Sequence, residues 1–234
     1  LINASTAESL YADMTEVLEQ SGGSAANTIA GLASLGGKGA FIGKVRDDIL
    51  GNSFREDIRQ IGVDFDTPAA THSAPTARCL ILVTPDAQRT MNTYLGACIE
   101  LGPEDIDADV IKASKITYLE GYLFDPPAAK EAFVQAATIA HEGEGKVALT
   151  LSDSFCVERY RDDFLKLLEG HVDILFANED EIKTLYQVDE FDEALQYVRG
   201  HCEISALTRS EKGSVIVSGD EMHVVDAASV ETVV

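Results

Sequence analysis

Apolar residues are patterned in two ways along this chain, some recurring every three or four residues as in helices and others in short unbroken runs typical of buried strands. Leu10, Met14, Val17 and Leu18 follow Ser5-Thr6-Ala7-Glu8, which has the form of a capping box, and predict an amphipathic helix over 5–19. A small-residue helix over 25–35 is stopped by Gly36 and Gly37. A buried strand over 40–42 and a helix over 49–61 that ends at Gly62 come next. From 63 to 97 Thr, Val and Ile become frequent, and Pro85-Asp86 separates strand-like runs at 78–84 and 89–95, the pattern of a β-hairpin.

Beyond Pro103 the alternation is regular. Helices over 103–112, 127–142, 157–168, 179–187 and 192–200 alternate with apolar strands over 115–120, 146–151, 172–176 and 204–208. Short, mostly apolar strands between helices read as βαβ units of a parallel sheet covered on both faces. A last hairpin, 213–217 and 222–225, turns at Gly219-Asp220. The expected fold class is α/β: one three-layer domain with a mainly parallel central sheet, and a small β-sheet lid contributed mostly by 63–97. A hairpin inserted between α/β units suits a lid over the carboxyl ends of the strands; an edge hairpin with no gating role is the alternative.

The glycine pair Gly22-Gly23 precedes the small-residue helix, with Ser24 as its expected N-cap and Asn27 one turn in. Free backbone N–H groups at a helix start suit hydroxyl or phosphate oxygens, and the Asn27 amide offers a polyol both a donor and an acceptor. A glycine turn that packs a helix close to a sheet, with Asn27 simply solvated, is the other reading. Asn178 and Glu181 follow the apolar run Val172-Asp173-Ile174-Leu175-Phe176 and open a helix three residues apart, on one side of its first turn. They are candidates to orient the waters of a Mg²⁺ ion, or an N-cap with acidic residues that complement the helix dipole. Thr208-Arg209-Ser210-Glu211-Lys212-Gly213 closes a strand and turns, as many β-turns do.

Composition narrows the partners. With 40 acidic and 18 basic residues the net charge is −22, which repels polyanions, so nucleic acid and anionic membrane are not expected partners. No apolar run approaches membrane-spanning length, no signal-like leader opens the chain, and the four cysteines form no C-x-x-C pair, which reads as a reducing, cytoplasmic setting. Gly31 to Gly39 misses the P-loop spacing by one and lacks its Ser or Thr, and Gly37, Gly39 and Gly43 miss G-x-G-x-x-G. The five histidines show no metal-ligand spacing and Ser152-Asp153-Ser154 lacks a G-x-S-x-G context, so neither a histidine metal centre nor a hydrolase is spelled.

The run from Gly22-Gly23 through Asn27 to Leu35-Gly36, then Phe41-Ile42-Gly43-x-Val45 and Asp47-Asp48-x-x-Gly51, resembles the first signature of the ribokinase-like (PfkB) family of ATP-dependent carbohydrate and nucleoside kinases. It departs at Arg46, where that family usually has Gly. Asn178-x-x-Glu181 is similar to the family's magnesium and phosphate motif. The resemblance implies that Gly22, Gly23, Ser24 and Asn27 hold the acceptor, that Asn178 and Glu181 meet Mg²⁺ through water, and that Asn178, Thr208, Arg209, Gly213 and Arg89 serve ATP. It also implies a base Asp in a G-A-G-D motif, which this chain does not contain and which is expected beyond Val234, and a first strand before Leu1. The chain is thus expected to be incomplete at both ends, and the whole protein to be a monomer or homodimer. Pro75-Thr76-x-x-Cys79, Arg89-Thr90 to Ala97, Gly121-Tyr122 and Leu151-Ser152-x-x-Phe155 look like segments of the adenosine kinase branch. Leu95, Tyr122 and Phe155 are therefore candidates for an aromatic-apolar slot around a purine, with ordinary core packing as the alternative. The expected activity is adenosine phosphorylation by ATP, with a ribokinase- or fructokinase-type sugar kinase as runner-up and a non-catalytic nucleoside or sugar binding module as a rival of different kind.

Overall fold

The computed structural model describes residues 1–15 and 17–229. It divides into two compact units, Leu1–Asp107 and a second from Ala108 on.

The first unit begins with α1 (Ala4–Asp13), capped by Asn3, whose side chain accepts the Thr6 N–H at 2.9 Å. The helix predicted to reach 19 stops at Asp13, and Ser5 is not its cap. Leu18 is 88% exposed, so no apolar burial supports further turns, and helices lacking such burial are marginal. After α2 (Ser24–Ser34) the two-residue β1 (Gly39–Ala40) pairs in parallel with β2 (Val63–Asp64), and α3 (Ile49–Gln60) lies between them in sequence. Asp48 caps α3 by accepting the Gly51 N–H at 2.8 Å. Ala26, Val45, Ile58, Val63 and Phe65 form the core of this unit. Phe41, Phe54 and Phe65 meet edge to face with centroids 5.1 to 5.8 Å apart, a geometry worth about 0.5–1.5 kcal/mol per pair beyond burial. β3 (Arg78–Val83) and β4 (Arg89–Tyr94) form the expected antiparallel hairpin, a separate two-stranded sheet.

The second unit runs α4 (Ala108–Ala113), β5 (Ile116–Glu120), α5 (Pro127–Glu142), β6 (Lys146–Thr150), α6 (Ser154–Arg159), α7 (Arg161–His171), β7 (Ile174–Asn178), α8 (Glu179–Tyr186), α9 (Phe191–Val198), β8 (Ile204–Thr208), β9 (Ser214–Ser218) and β10 (Glu221–Val225). Its six-stranded sheet has the order β10-β9-β8-β7-β6-β5, parallel from β5 to β8 and antiparallel beyond. The mixed α/β class, with a large mainly parallel sheet and a small separate one, is as the sequence predicts. β7 sits inside the sheet, between β6 and β8.

α5 packs on β5 and β6, α8 packs on β7 and β8, and α7 touches both helices, so these helices share one sheet face, as right-handed crossovers in a constant direction require. Ala129, Ala132, Ala136, Ala137 and Ala140 are buried along α5, and their small side chains let it lie close to the strands. Local departures from the predicted bounds have local causes. The helix expected over 157–168 breaks at Tyr160, whose hydroxyl donates to the Asp125 carboxylate and whose ring carries the Lys130 ammonium 3.8 Å from its centroid. The helix expected over 103–112 is a 3-10 turn at Pro103–Asp105 followed by α4, because the Asp105 carboxylate folds back onto the Gly102 N–H and pairs with Lys44. Among the described residues no helix is long and apolar enough to cross a membrane. The strand expected at the end of the chain, Val230 to Val234, lies outside the described residues.

Candidate active site

In the first unit the glycine pair enters α2 with Gly23, not Ser24, at the N-cap. Gly23 has φ 109° and ψ 145°, which a residue with a Cβ rarely adopts, and Ser24 is already helical. Asn27 donates the first intrahelical N–H bond, to the Gly23 carbonyl at 2.8 Å, so the N–H groups of Ser24, Ala25 and Ala26 point off the helix end. A Cβ on Gly23 would meet nothing within 4 Å, and Gly22, Gly23, Ser24 and Asn27 are all exposed. Arg46, which stands where the family usually has glycine, does not have a positive φ, so its side chain brings no left-handed strain there. Its N–H donates to the Thr76 hydroxyl at 3.0 Å, and its carbonyl comes so close to the first turn of α3 that a Cβ on Gly51 would lie 2.0 Å from it. Arg89 opens β4 opposite Val83 and is exposed, and Leu95 follows β4, half-buried.

In the second unit the candidate residues collect at the carboxyl edge of the parallel strands, where open α/β sheets bind ligands. Strand register sets Glu120 beside Thr150, Thr150 beside Phe176, and Asn178 beside Thr208. The Asn178 side chain accepts the Glu181 N–H at 2.8 Å, while the Glu181 carboxylate accepts the Asn178 backbone N–H at 3.0 Å and its side-chain amide at 2.7 Å. Glu181 is 5% exposed, and burial raises its pKa, opposed by the bond from the Asn178 N–H and reinforced by the charges of Asp153, Glu120 and Asp180. Burial first, then the charges of Asp153, Glu120 and Glu181, likewise raise the Tyr122 pKa.

Tyr122 and Phe155 are 51% and 75% exposed, which removes ordinary core packing as their explanation. Thr208 is exposed at the end of β8. Arg209 bonds Glu179 at 2.8 Å and stacks on Phe191 with its guanidinium 3.9 Å from the ring centroid, and Lys212 reaches the same carboxylate at 3.4 Å. Arg209, bonded by its side-chain nitrogen, lowers the Glu179 pKa. Gly213, at φ 84°, lies against β10: a Cβ there would stand 2.0 Å from the Val225 carbonyl oxygen.

Three participants at this edge were not singled out as site residues from the sequence. The Ser152 hydroxyl donates to the Glu120 carboxylate, and Asp153 caps α6 by accepting the Phe155 N–H at 2.7 Å. A polar residue closing an apolar strand, as Glu120 does, was the available signal. For Mg²⁺ the fit is limited. Both oxygens of Glu181 accept from the two nitrogens of Asn178, the side-chain oxygen of Asn178 accepts the Glu181 N–H, and among the described residues no group of three or more His, Cys, Asp or Glu is arranged to hold a metal ion. Direct ligation is not what this arrangement offers.

The chain matches the family described as pfkB family carbohydrate kinase over residues 4–234. It is 30% identical over 217 residues to the ATP-dependent ribose-1-phosphate kinase of Halopiger xanaduensis, covering 90% of this chain and 69% of that protein. Among solved structures, the adenosine kinase from Sinorhizobium meliloti is 54% identical with a TM-score of 0.93, over all of this chain and 72% of that one. A probable sugar kinase from Rhizobium etli CFN 42 is 53% identical with a TM-score of 0.92, over 98% of this chain and 70% of that one. A glycine-pair helix start, polar side chains gathered at the carboxyl edge of the sheet, and a match along nearly the whole length lead to one assignment: the chain belongs to the pfkB family of carbohydrate kinases.

Proposed function

We propose that the protein transfers the γ-phosphoryl group of ATP to the primary hydroxyl of a ribonucleoside, adenosine giving AMP. The observation that carries this is the pair of exposed aromatic side chains, Tyr122 and Phe155, at neighbouring strand ends, where a purine has rings to stack on and a free sugar has none. The 54% identity to an adenosine kinase supports it. The 5′-oxygen of the nucleoside attacks the γ-phosphorus, the bond to the ADP oxygen breaks, and the hydroxyl proton passes to the carboxylate base that the family resemblance implies for the full-length protein.

In this reading Gly22, Gly23, Ser24 and Asn27 bind acceptor hydroxyls in the first unit, and Leu95 contributes apolar surface. In the second unit Tyr122 and Phe155 take the base, and Asn178, Thr208 and Gly213 serve the nucleotide. Arg209 acts through its bond to Glu179, which opens α8. Arg89 remains a candidate for the phosphates. Mg²⁺ is the expected companion of ATP, with water-mediated contact to Asn178 and Glu181 the only role assigned to this chain. The four cysteines are free thiols, in keeping with a cytoplasmic setting.

The second reading is a sugar kinase, favoured by the 53% identity to a probable sugar kinase. An ATP-consumption assay of the full-length protein against adenosine, inosine, ribose, fructose and 2-keto-3-deoxygluconate decides between them. Adenosine giving the highest kcat/KM is the expected result; a free sugar outrunning it overturns the nucleoside assignment, and no turnover with any acceptor leaves a binding module.

A further inference from the structure

We infer that Glu120 and Ser152 are positioning residues that lock the two strand ends carrying Tyr122 and Phe155 into one rigid bracket, and so set the affinity for the nucleoside base. The inference rests on the nucleoside reading above. Three observations carry it. Ser152 has φ 69°, a left-handed conformation that is unfavourable for a residue with a Cβ and persists where neighbouring contacts hold it. Its hydroxyl supplies such a contact by donating to the Glu120 carboxylate, across 32 residues of sequence. Gly121, between Glu120 and Tyr122, lies so close to β6 that a Cβ would stand 2.5 Å from the Thr150 carbonyl oxygen and 2.8 Å from that of Leu151.

The bracket then extends to both aromatic rings. Tyr122 follows Gly121 directly, inside a 3-10 turn over Gly121–Leu123 that starts where β5 ends. On the other side, Asp153 follows Ser152, and its carboxylate fixes the Phe155 N–H at 2.7 Å. The strained serine thus turns β6 into α6 with Phe155 pointing outward, and the Glu120 bond ties that turn to the end of β5. The second Glu120 oxygen is buried without a hydrogen-bond partner, so Ser152 is the anchor the carboxylate has among the described residues. Without it, the Glu120 carboxylate would keep no hydrogen-bond partner among the described residues, and the end of β5 would lose its tie to the turn into α6.

The test uses the full-length protein with Ser152→Ala, Glu120→Ala, the double variant and Glu120→Gln, scored for KM of adenosine, KM of ATP, kcat and thermal midpoint. Each alanine variant is expected to raise the adenosine KM about tenfold, with kcat and the ATP KM within about twofold, and the double variant to be no worse than the poorer single, the non-additivity of a shared contact. Glu120→Gln keeps an oxygen for Ser152 and gives the orphaned position a donor, and is expected to restore the adenosine KM. Additive effects, equal losses in kcat and ATP binding, or a lower thermal midpoint with unchanged adenosine KM overturn the inference. If the alanine variants do not fold, Glu120→Gln alone decides: wild-type adenosine KM supports the bracket and a raised KM overturns it. A wild-type protein that turns over a sugar but not adenosine defeats the nucleoside reading first, visibly in the unmutated enzyme, and the inference falls with it.

Discussion

The side-chain oxygen of Asn178 accepts the Glu181 N–H at 2.8 Å while the Glu181 carboxylate returns bonds to both nitrogens of Asn178 at 3.0 and 2.7 Å. This closed exchange is a complete capping box, and it makes Glu181 a structural cap before it can be anything else. Glu181→Ala removes two acceptors from a buried helix start and is expected to cost about 1–2 kcal/mol, read from urea unfolding of the full-length protein. Glu181→Gln keeps an acceptor for the Asn178 N–H and is expected to fold with a cost under about 1 kcal/mol. Its turnover is nevertheless expected to fall far more than its acceptor affinity, if the missing charge acts on charge developing during transfer. Equal losses in turnover and acceptor binding leave Glu181 as a cap alone.

The same carboxylate should make stability depend on pH. Burial first, then Asp153, Glu120 and Asp180, raises its pKa in the folded state. Between the ordinary glutamate value and the raised one, the folded chain binds more protons than the unfolded chain. Stability therefore falls as pH rises through that window and recovers as pH is lowered through it. Denaturation midpoints measured through the acidic range should show this slope in the wild type, and Glu181→Gln should flatten it. An unchanged slope in the variant assigns the dependence to other groups.

Gly23 and Gly213 both have positive φ and should respond differently to alanine. At Gly213 the new Cβ would lie 2.0 Å from a backbone oxygen of β10, so backbone must move, and a loss of about 3 kcal/mol or more is expected. At Gly23 the Cβ meets nothing within 4 Å, so only the conformational cost applies, about 1–2 kcal/mol. Its larger effect should be on acceptor KM, because the methyl group occupies the open face of the helix start. Paired unfolding curves and acceptor titrations of the two full-length variants check this.

Much of the fold could be read because its elements announce themselves locally. Pro127 opens α5, and the bounds of α5 and β8 are those expected from periodicity alone. What could not be read depends on tertiary partners. The break at Tyr160 is set by Asp125, 35 residues away, and α1 ends early because nothing covers Leu18. In the site, polar residues that close apolar strands mark positions such as Asn178 and Thr208. Their partners do not: Arg209 to Glu179 and Ser152 to Glu120 are separated by 30 and 32 residues and meet only once strand register is fixed. Ser24 was misplaced by one position because Ser is the commoner cap, whereas the backbone conformation required at Gly23 leaves the cap to glycine.

Phe155 separates recognition from folding most cleanly. Its side chain is 75% exposed, so Phe155→Ala removes little buried surface and is expected to change stability by no more than about 0.5 kcal/mol. If the ring stacks on a purine, the lost contact is worth about 0.5–1.5 kcal/mol, a rise of about two- to tenfold in adenosine KM. The ATP KM should not move, since in the reading above the nucleotide is served by residues at β7 and β8 rather than by α6. Tyr122→Ala should behave alike, with a somewhat larger stability cost because half of that ring is covered, at 51% exposure. Adenosine titrations of both full-length variants, with ribose run in parallel, supply the check. A KM shift confined to adenosine identifies a base-stacking slot, whereas unchanged adenosine KM in both variants means that the rings serve neither base nor fold and the purine reading of this edge fails.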